Sequence, residues 1–117
     1  MGNDGQTNVI LEKSYQFALA VVPVARQLQT DKEFVLSNQF VRAGTAIGAL
    51  VEEAQAAQSR ADFHTKMCIA EKEAREAHYW LRILKDCGLI DGGEAESLLQ
   101  QCQELKRILA AITKSTA

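Results

Sequence analysis

LSNQFVRAGTAIGALVEEAQAAQSRADFHTKMCIAEKEAREAHYWLRILKDCGLI, residues 36–90, holds two long apolar periodicities separated by one short polar break. In the first, Leu36, Phe40, Ala43, Ile47, Leu50, Ala54 and Ala57 recur at alternating spacings of four and three. In the second, Phe63, Met67, Ala70, Ala74, Ala77, Leu81 and Leu84 repeat the alternation. Such spacing gathers the apolar side chains on one stripe of a helix, and its mean period is that of the seam in a left-handed bundle. At the break, Ser59 stands three residues before Asp62, as an N-cap requires. Gly88 followed by apolar Leu89 predicts a left-handed stop for the second helix, with Lys85 near its carbonyl end.

Outward from this segment the same periodicity continues. Ile10, Phe17, Val21, Val24 and Leu28 form a stripe with Leu11, Ala18, Val22 and Ala25 beside it. They predict a first helix over residues 7–28, wide enough in its apolar face to meet two neighbours. Pro23 lies inside it, removes one backbone donor and predicts a kink. Thr30 and Glu33 have capping-box spacing ahead of the second helix, and Asp91 and Glu94 repeat it ahead of a fourth. In that last helix Leu98, Cys102, Leu105, Leu109 and Ile112 keep the alternation. Helices joined by such short breaks must run antiparallel to their neighbours. The expected fold is all-α, an antiparallel up-down-up-down four-helix bundle.

A chain of 117 residues suits a single domain, 1–117, of which residues 1–6 are expected to be a disordered N-terminus. Seven glycines and one proline are too few for the many turns of an all-β fold. The formal net charge is −2, from 13 basic and 15 acidic residues, with no basic block. Nucleic acid is thus a partner that the net charge does not support, although an assembly could gather local basic patches. Cys68, Cys87 and Cys102 have no CxxC or zinc-type spacing. Each falls in or beside an apolar helical position, where a free thiol behaves as a small hydrophobe. An odd cysteine count, with no basic start and no apolar run over residues 1–9, predicts the reducing cytoplasm. No apolar stretch reaches about 18 residues, so no membrane span is expected.

Two constellations depart from plain bundle patterning. Gly44 and Gly48 form a small-xxx-small motif inside the second helix, where each glycine costs about 1 kcal/mol relative to alanine. They predict close backbone approach, either between helices of one chain or along a subunit interface on the Val41, Gly44, Gly48, Val51 face. On the third helix, Ile69, Glu73, Glu76, Trp80, Ile83 and Cys87 form a second stripe in which two carboxylates interrupt an apolar line. Arg42 is placed to pair with Glu73 or Glu76 across the seam, and Glu53 lies on the same helix as Arg42. Tyr79 and Trp80 read as packing or interface residues. A di-metal centre would need Glu-x-x-His on two helices and finds none, so neither metal nor cofactor is expected. Phosphate loops and nucleophile motifs are missing too, and no enzyme is predicted.

Residues 36–49, as Leu36-Ser37-x-Gln39-x-x-Arg42-Ala43-Gly44-Thr45-x-Ile47-Gly48-Ala49, resemble the helix-two signature of a bacterial family. Its members are four-helix-bundle proteins encoded in intervening sequences of 23S rRNA genes, formerly labelled S23 ribosomal proteins. The resemblance continues through Glu53-Ala54, Ser59-x-x-Asp62-Phe63, Lys66, Ile69-Ala70, Lys72-Glu73-Ala74-x-Glu76 and Tyr79-Trp80-Leu81. Thr45 and Leu50-Val51 depart from the family's usual Ser and Asn-Ile or Asn-Val. The resemblance implies a ring-like homopentamer with no established enzyme activity. Related accessory proteins of diversity-generating retroelements are basic pentamers thought to bind nucleic acid and a reverse transcriptase, and this acidic chain resembles them in fold.

Overall fold

A computed structural model describes residues 4–117 as four helices: α1 (Asp4–Thr30), α2 (Phe34–Ala54), α3 (Arg60–Asp86) and α4 (Gly92–Thr116). Each helix packs on its sequence neighbours, and α4 closes back onto α1, so the four stand at the corners of a square with no diagonal contact. The body measures 43 × 21 × 19 Å, its long axis close to the roughly 40 Å that 27 helical residues span. The four-helix bundle expected from the periodicity is what forms. Of the residues expected to be disordered, 1–3 lie outside those described, while Asp4, Gly5 and Gln6 already belong to α1. Continuous helix runs through Pro23, which is exposed.

Along the axis runs a core of Phe17, Val21 and Leu28 from α1, Phe40 and Ile47 from α2, Met67, Leu81 and Leu84 from α3, and Leu105 and Leu109 from α4. Each large apolar side chain fully buried here contributes roughly 1.5–3 kcal/mol. The α3 and α4 stripes are buried as read from sequence. On α2 the buried face is turned: Ser37, Gly44, Gly48 and Val51 enter the core, while Leu36 and Leu50 are only half-buried and Ala57 lies past the helix end at Ala54. The glycines explain the turn. A Cβ on Gly44 would lie 2.9 Å from both Val21 Cγ atoms, and one on Gly48 would lie 3.3 Å from the Ser14 carbonyl oxygen. Without those carbons α1 lies nearly backbone to backbone on α2, and the small-residue side of α2 faces inward. Ser37, carried into the core by this turn, donates to the Ala25 carbonyl at 2.7 Å and accepts from Gln29 at 3.2 Å. A buried hydroxyl so partnered avoids the penalty of an unmade hydrogen bond.

Three of the four expected stops and starts form as read. Ser59 accepts from the Asp62 amide at 3.0 Å, and Asp91 accepts from the Glu94 amide at 3.0 Å. Gly88 adopts φ 68°, and the Leu89 amide returns to the Leu84 carbonyl at 2.9 Å, closing a Schellman motif. The Thr30–Glu33 capping box does not form. Thr30 instead donates backward to the Arg26 carbonyl at 3.2 Å, and Glu33 makes no side-chain cap. The reason is that α1 runs further than its apolar stripe and ends in its own Schellman motif, with the Glu33 amide bonded to the Leu28 carbonyl at 2.8 Å. The left-handed residue of that motif is Lys32, at φ 66°.

By composition α2 contains an 18-residue window of mean hydropathy 1.2, enough for a membrane span by length and apolar content alone. This corrects the expectation that no segment reaches that level. In the fold its apolar stripe packs on α1 and α3, and its outer face carries Arg42, Glu52 and Glu53.

Two stability measurements test this account. An L-residue held left-handed costs roughly 1–2 kcal/mol, part of which glycine returns as unfolded-state entropy. Lys32→Gly is therefore expected to raise urea-measured stability by about 0.5–1 kcal/mol. Gly44→Ala gains helix propensity of about 1 kcal/mol but overpacks Val21 at a typical cost of 1–3 kcal/mol, for an expected net loss of about 1 kcal/mol. In Gly44→Ala/Val21→Ala the new methyl group occupies vacated space, so the pair should lose less than the sum of the single changes by about 1 kcal/mol.

Candidate interaction surfaces

The structure brings together some of the residues singled out in the sequence and separates others. Across the α2–α3 seam, Arg42 reaches both carboxylates, donating to Glu73 Oε2 at 3.0 Å and to Glu76 Oε2. Glu73 is largely covered, with 14% of its side chain exposed, whereas Arg42 is about half exposed. The trio carries a net charge of −1 and ties two antiparallel helices at one register, a charge-assisted contact with a planar donor. Its energy is modest because the arginine remains in contact with water. Glu53 is exposed and joins none of the ion pairs among the described residues. Gly44 and Gly48 are buried against α1.

Tyr79 and Trp80 are neighbours on α3 with ring centroids 5.3 Å apart at 67°. Trp80 packs against the core with its Nε1 buried and without a hydrogen-bond partner. Tyr79 points outward, about half exposed, with the Arg82 guanidinium 5.7 Å from its ring centre, a cation–π contact.

On the α3–α4 seam, Arg82 and Lys106 flank His78. Burial first, then Lys106 and Arg82, push the His78 imidazolium below its ordinary range. Toward the opposite end of the seam, Glu71 accepts from Thr113 at 3.1 Å and Arg60 donates to the Ser115 carbonyl at 3.1 Å. Between these lies a contact that composition and spacing did not reveal: His64 Nδ1 is 2.8 Å from Thr116 Oγ1, and His64 Nε2 is 3.4 Å from Cys68 Sγ. The i,i+4 spacing of His64 and Cys68 is legible in the sequence. Thr116, fifty-two residues away, is brought in only by the fold.

Nor do the cysteines behave alike. Cys102 is the buried hydrophobe expected, its thiol donating to the Ala74 carbonyl at 3.2 Å and pushed up to about 12 by burial. Cys68 is half-buried beside a histidine, and Cys87 is exposed. Among the described residues no three His, Cys, Asp or Glu side chains converge to hold a metal.

Finally, α1 and α2 present an apolar outer face. Tyr15, Leu19 and Val22 recur at i, i+4 and i+7 on α1, with Tyr15 59% and Leu19 50% exposed. Beside them a shallow groove runs between the helices, lined by Tyr15, Ala18, Thr45, Gly48, Ala49 and Glu52. Phe34 and Val35 leave the start of α2 apolar and exposed.

Four helices in a square, with no strand among the described residues, define an all-α four-helix-bundle protein. The chain belongs to the 23S rRNA-intervening sequence protein family, whose sequence profile matches residues 6–111. It is also similar to the crystal structure of a protein of unknown function from the S23 ribosomal protein family of Bacteroides thetaiotaomicron. The two share 41% identity over 93% of this chain and 98% of that one, with a TM-score of 0.88. A search of curated proteins finds no match. The family resemblance in residues 36–81 is thereby shown, and neither the family description nor the similar structure names an enzyme activity.

The His78 environment makes a pH prediction. In the unfolded chain the imidazole titrates near its ordinary 6.5, and in the fold it takes its proton at lower pH. Above about pH 6.5 nothing is lost; as pH falls below it, the unfolded state gains a proton first and folding stability declines. The displaced carboxylates Asp62 and Glu104, held low by Lys66 and Lys13, act only at more acid pH. His78→Gln should therefore lessen the fall in stability between pH 7 and 5 measured by denaturant titration, with little effect at pH 8.

Proposed function

We propose that this chain is a non-enzymatic, self-associating helical-bundle protein of the cytoplasm that acts as a scaffold, with the α1–α2 face as its subunit contact. The observation that carries the reading is the exposed stripe of Tyr15, Leu19 and Val22 beside the groove between α1 and α2. A contiguous apolar face is costly to leave in water, and in stable proteins such faces meet partners. A five-membered ring is the stoichiometry that the family resemblance implies. The pairing of Arg42 with Glu73 and Glu76 serves to hold α2 and α3 in register behind that contact face.

A second reading is a nucleic-acid accessory protein that uses a surface repeated around the assembly. It is favoured by Arg82 and Lys106, which take part in no ion pair among the described residues and lie beside His78. Repeating this patch around a ring would multiply phosphate contacts that one chain supplies sparsely.

Size-exclusion chromatography with light scattering tests the first reading. The expected mass is a multiple of the 12.9 kDa chain, near five copies, and Leu19→Glu should reduce it to one copy while circular dichroism keeps its helical signal. A wild-type monomer at micromolar concentration would overturn it. For the second reading, structured RNA should bind with an affinity that falls as salt rises, and no binding at about 50 mM salt would count against it.

A further inference from the structure

We propose that Cys68 is a nucleophilic thiol with His64 as its proton acceptor, and that it is the site at which this protein reacts with peroxides. The inference rests on the α3–α4 seam and is independent of the scaffold reading. His64 and Cys68 stand one turn apart on α3, with Nε2 at 3.4 Å from Sγ. His64 Nδ1 lies 2.8 Å from Thr116 Oγ1, and that hydroxyl donates its proton to the Ile112 carbonyl at 2.9 Å.

A hydroxyl has one proton to give. We assign the Thr116 proton to the Ile112 carbonyl, so that the oxygen accepts from His64 and Nδ1 carries the imidazole hydrogen. In that tautomer Nε2, 3.4 Å from the sulfur, has a lone pair free to take the thiol proton. The hydrogen bond at one ring nitrogen thus sets the role of the other. The result is a nucleophile, a base and a group that orients the base, the arrangement by which a weak nucleophile is activated. A packing role alone would need the His64–Thr116 bond to latch the end of α4 onto α3, but it would not need Nε2 to face sulfur.

The step balances with the peroxide as oxidant. The sulfur lone pair attacks one peroxide oxygen, forming S–O and breaking O–O. The thiol proton passes to His64 Nε2 and from there to the departing oxygen, which leaves as water, or as an alcohol from an alkyl hydroperoxide. Sulfur loses two electrons, the peroxide gains two, and the products are Cys68 sulfenic acid and a neutral leaving group. Peroxides are small enough to reach a half-buried thiol. The site lies on the α3–α4 seam, whereas the apolar face is formed by α1 and α2.

The chain carries its own controls. Cys87 is more exposed than Cys68, so exposure alone ranks Cys87 as the faster thiol. Cys102 is buried and tied to the Ala74 carbonyl, and it reports on unfolding. Full-length protein is treated with hydrogen peroxide in the presence of dimedone, and labelling of each cysteine is followed by mass spectrometry. Cys68 should label faster than Cys87 by about tenfold or more, within what a positioned base contributes, and Cys102 should stay unlabelled. His64→Asn should bring Cys68 down to the Cys87 rate or below while leaving Cys87 unchanged. Thr116→Val should slow Cys68 several-fold, and Thr116→Ser should restore it. Cys68 labelling no faster than Cys87 in the wild type, which needs no variant, would overturn the proposal. So would an unchanged Cys68 rate in a folded His64→Asn protein. Should His64→Asn expose Cys102 by unfolding, the Thr116→Val and Thr116→Ser pair takes its place.

Discussion

The close approach of α1 and α2 organises the rest of the molecule. Gly44 meets Val21 and Gly48 meets the Ser14 backbone, contacts that no residue with a Cβ makes without displacement. Lying this near to α1, α2 presents its small-residue side inward. Ser37 is thereby buried and must be hydrogen-bonded, Val51 replaces Leu50 in the core, and Arg42 is left on the side from which it reaches α3. The loss of helix propensity at two glycines is offset by van der Waals contact between the helices, which falls off steeply with even small gaps.

The other seams are held by different means. Across α2–α3, the Arg42 fork joins Glu73 and Glu76; its value is in choosing a register rather than in adding much energy, since a half-exposed ion pair is largely screened. On α3–α4, polar groups of the last turns of α4 meet side chains of α3: Thr113 with Glu71, Thr116 with His64, and the Ser115 carbonyl with Arg60. Each fastens the last turns of α4 at a point where its own carbonyls lack helical partners. Among the described residues the buried Trp80 Nε1 is the exception to this pattern of satisfied polar groups, and its lost hydrogen bond is set against the apolar area the indole covers.

Much of this was legible before any coordinates. The four-three alternation on α3 and α4 placed every core residue it named, because no polar residue or glycine breaks the buried stripe of either helix, even though Ile69, Trp80 and Ile83 lie off it. It failed by a small rotation on α2, where apolar residues lie on several faces and the deciding feature was the absence of side chains at Gly44 and Gly48. Capping was readable where the chain stopped on glycine or started on Ser59 or Asp91. It was misread at Thr30, since a lysine at a left-handed C-terminal position leaves no signature in composition. Arg42 with Glu73 and Glu76 was foreseeable from antiparallel geometry. The His64, Cys68 and Thr116 contact was not, because its third member is remote in sequence and joins only when α4 packs along α3.

The two sides of α3 also differ in charge, which a formal total of −2 conceals. Toward α2, Arg42 is outnumbered by Glu73 and Glu76, and Glu53, three helical turns along the same face of α2, adds to the excess. Toward α4, Arg82 and Lys106 repel the His78 proton. The two local clusters are therefore of opposite sign, negative around Arg42, Glu73 and Glu76 and positive beside His78. Such a field orients an approaching charged molecule before contact and fades within a Debye length of about 8 Å at physiological salt. Were copies to stand side by side, these unlike clusters would attract one another before any apolar surface is covered.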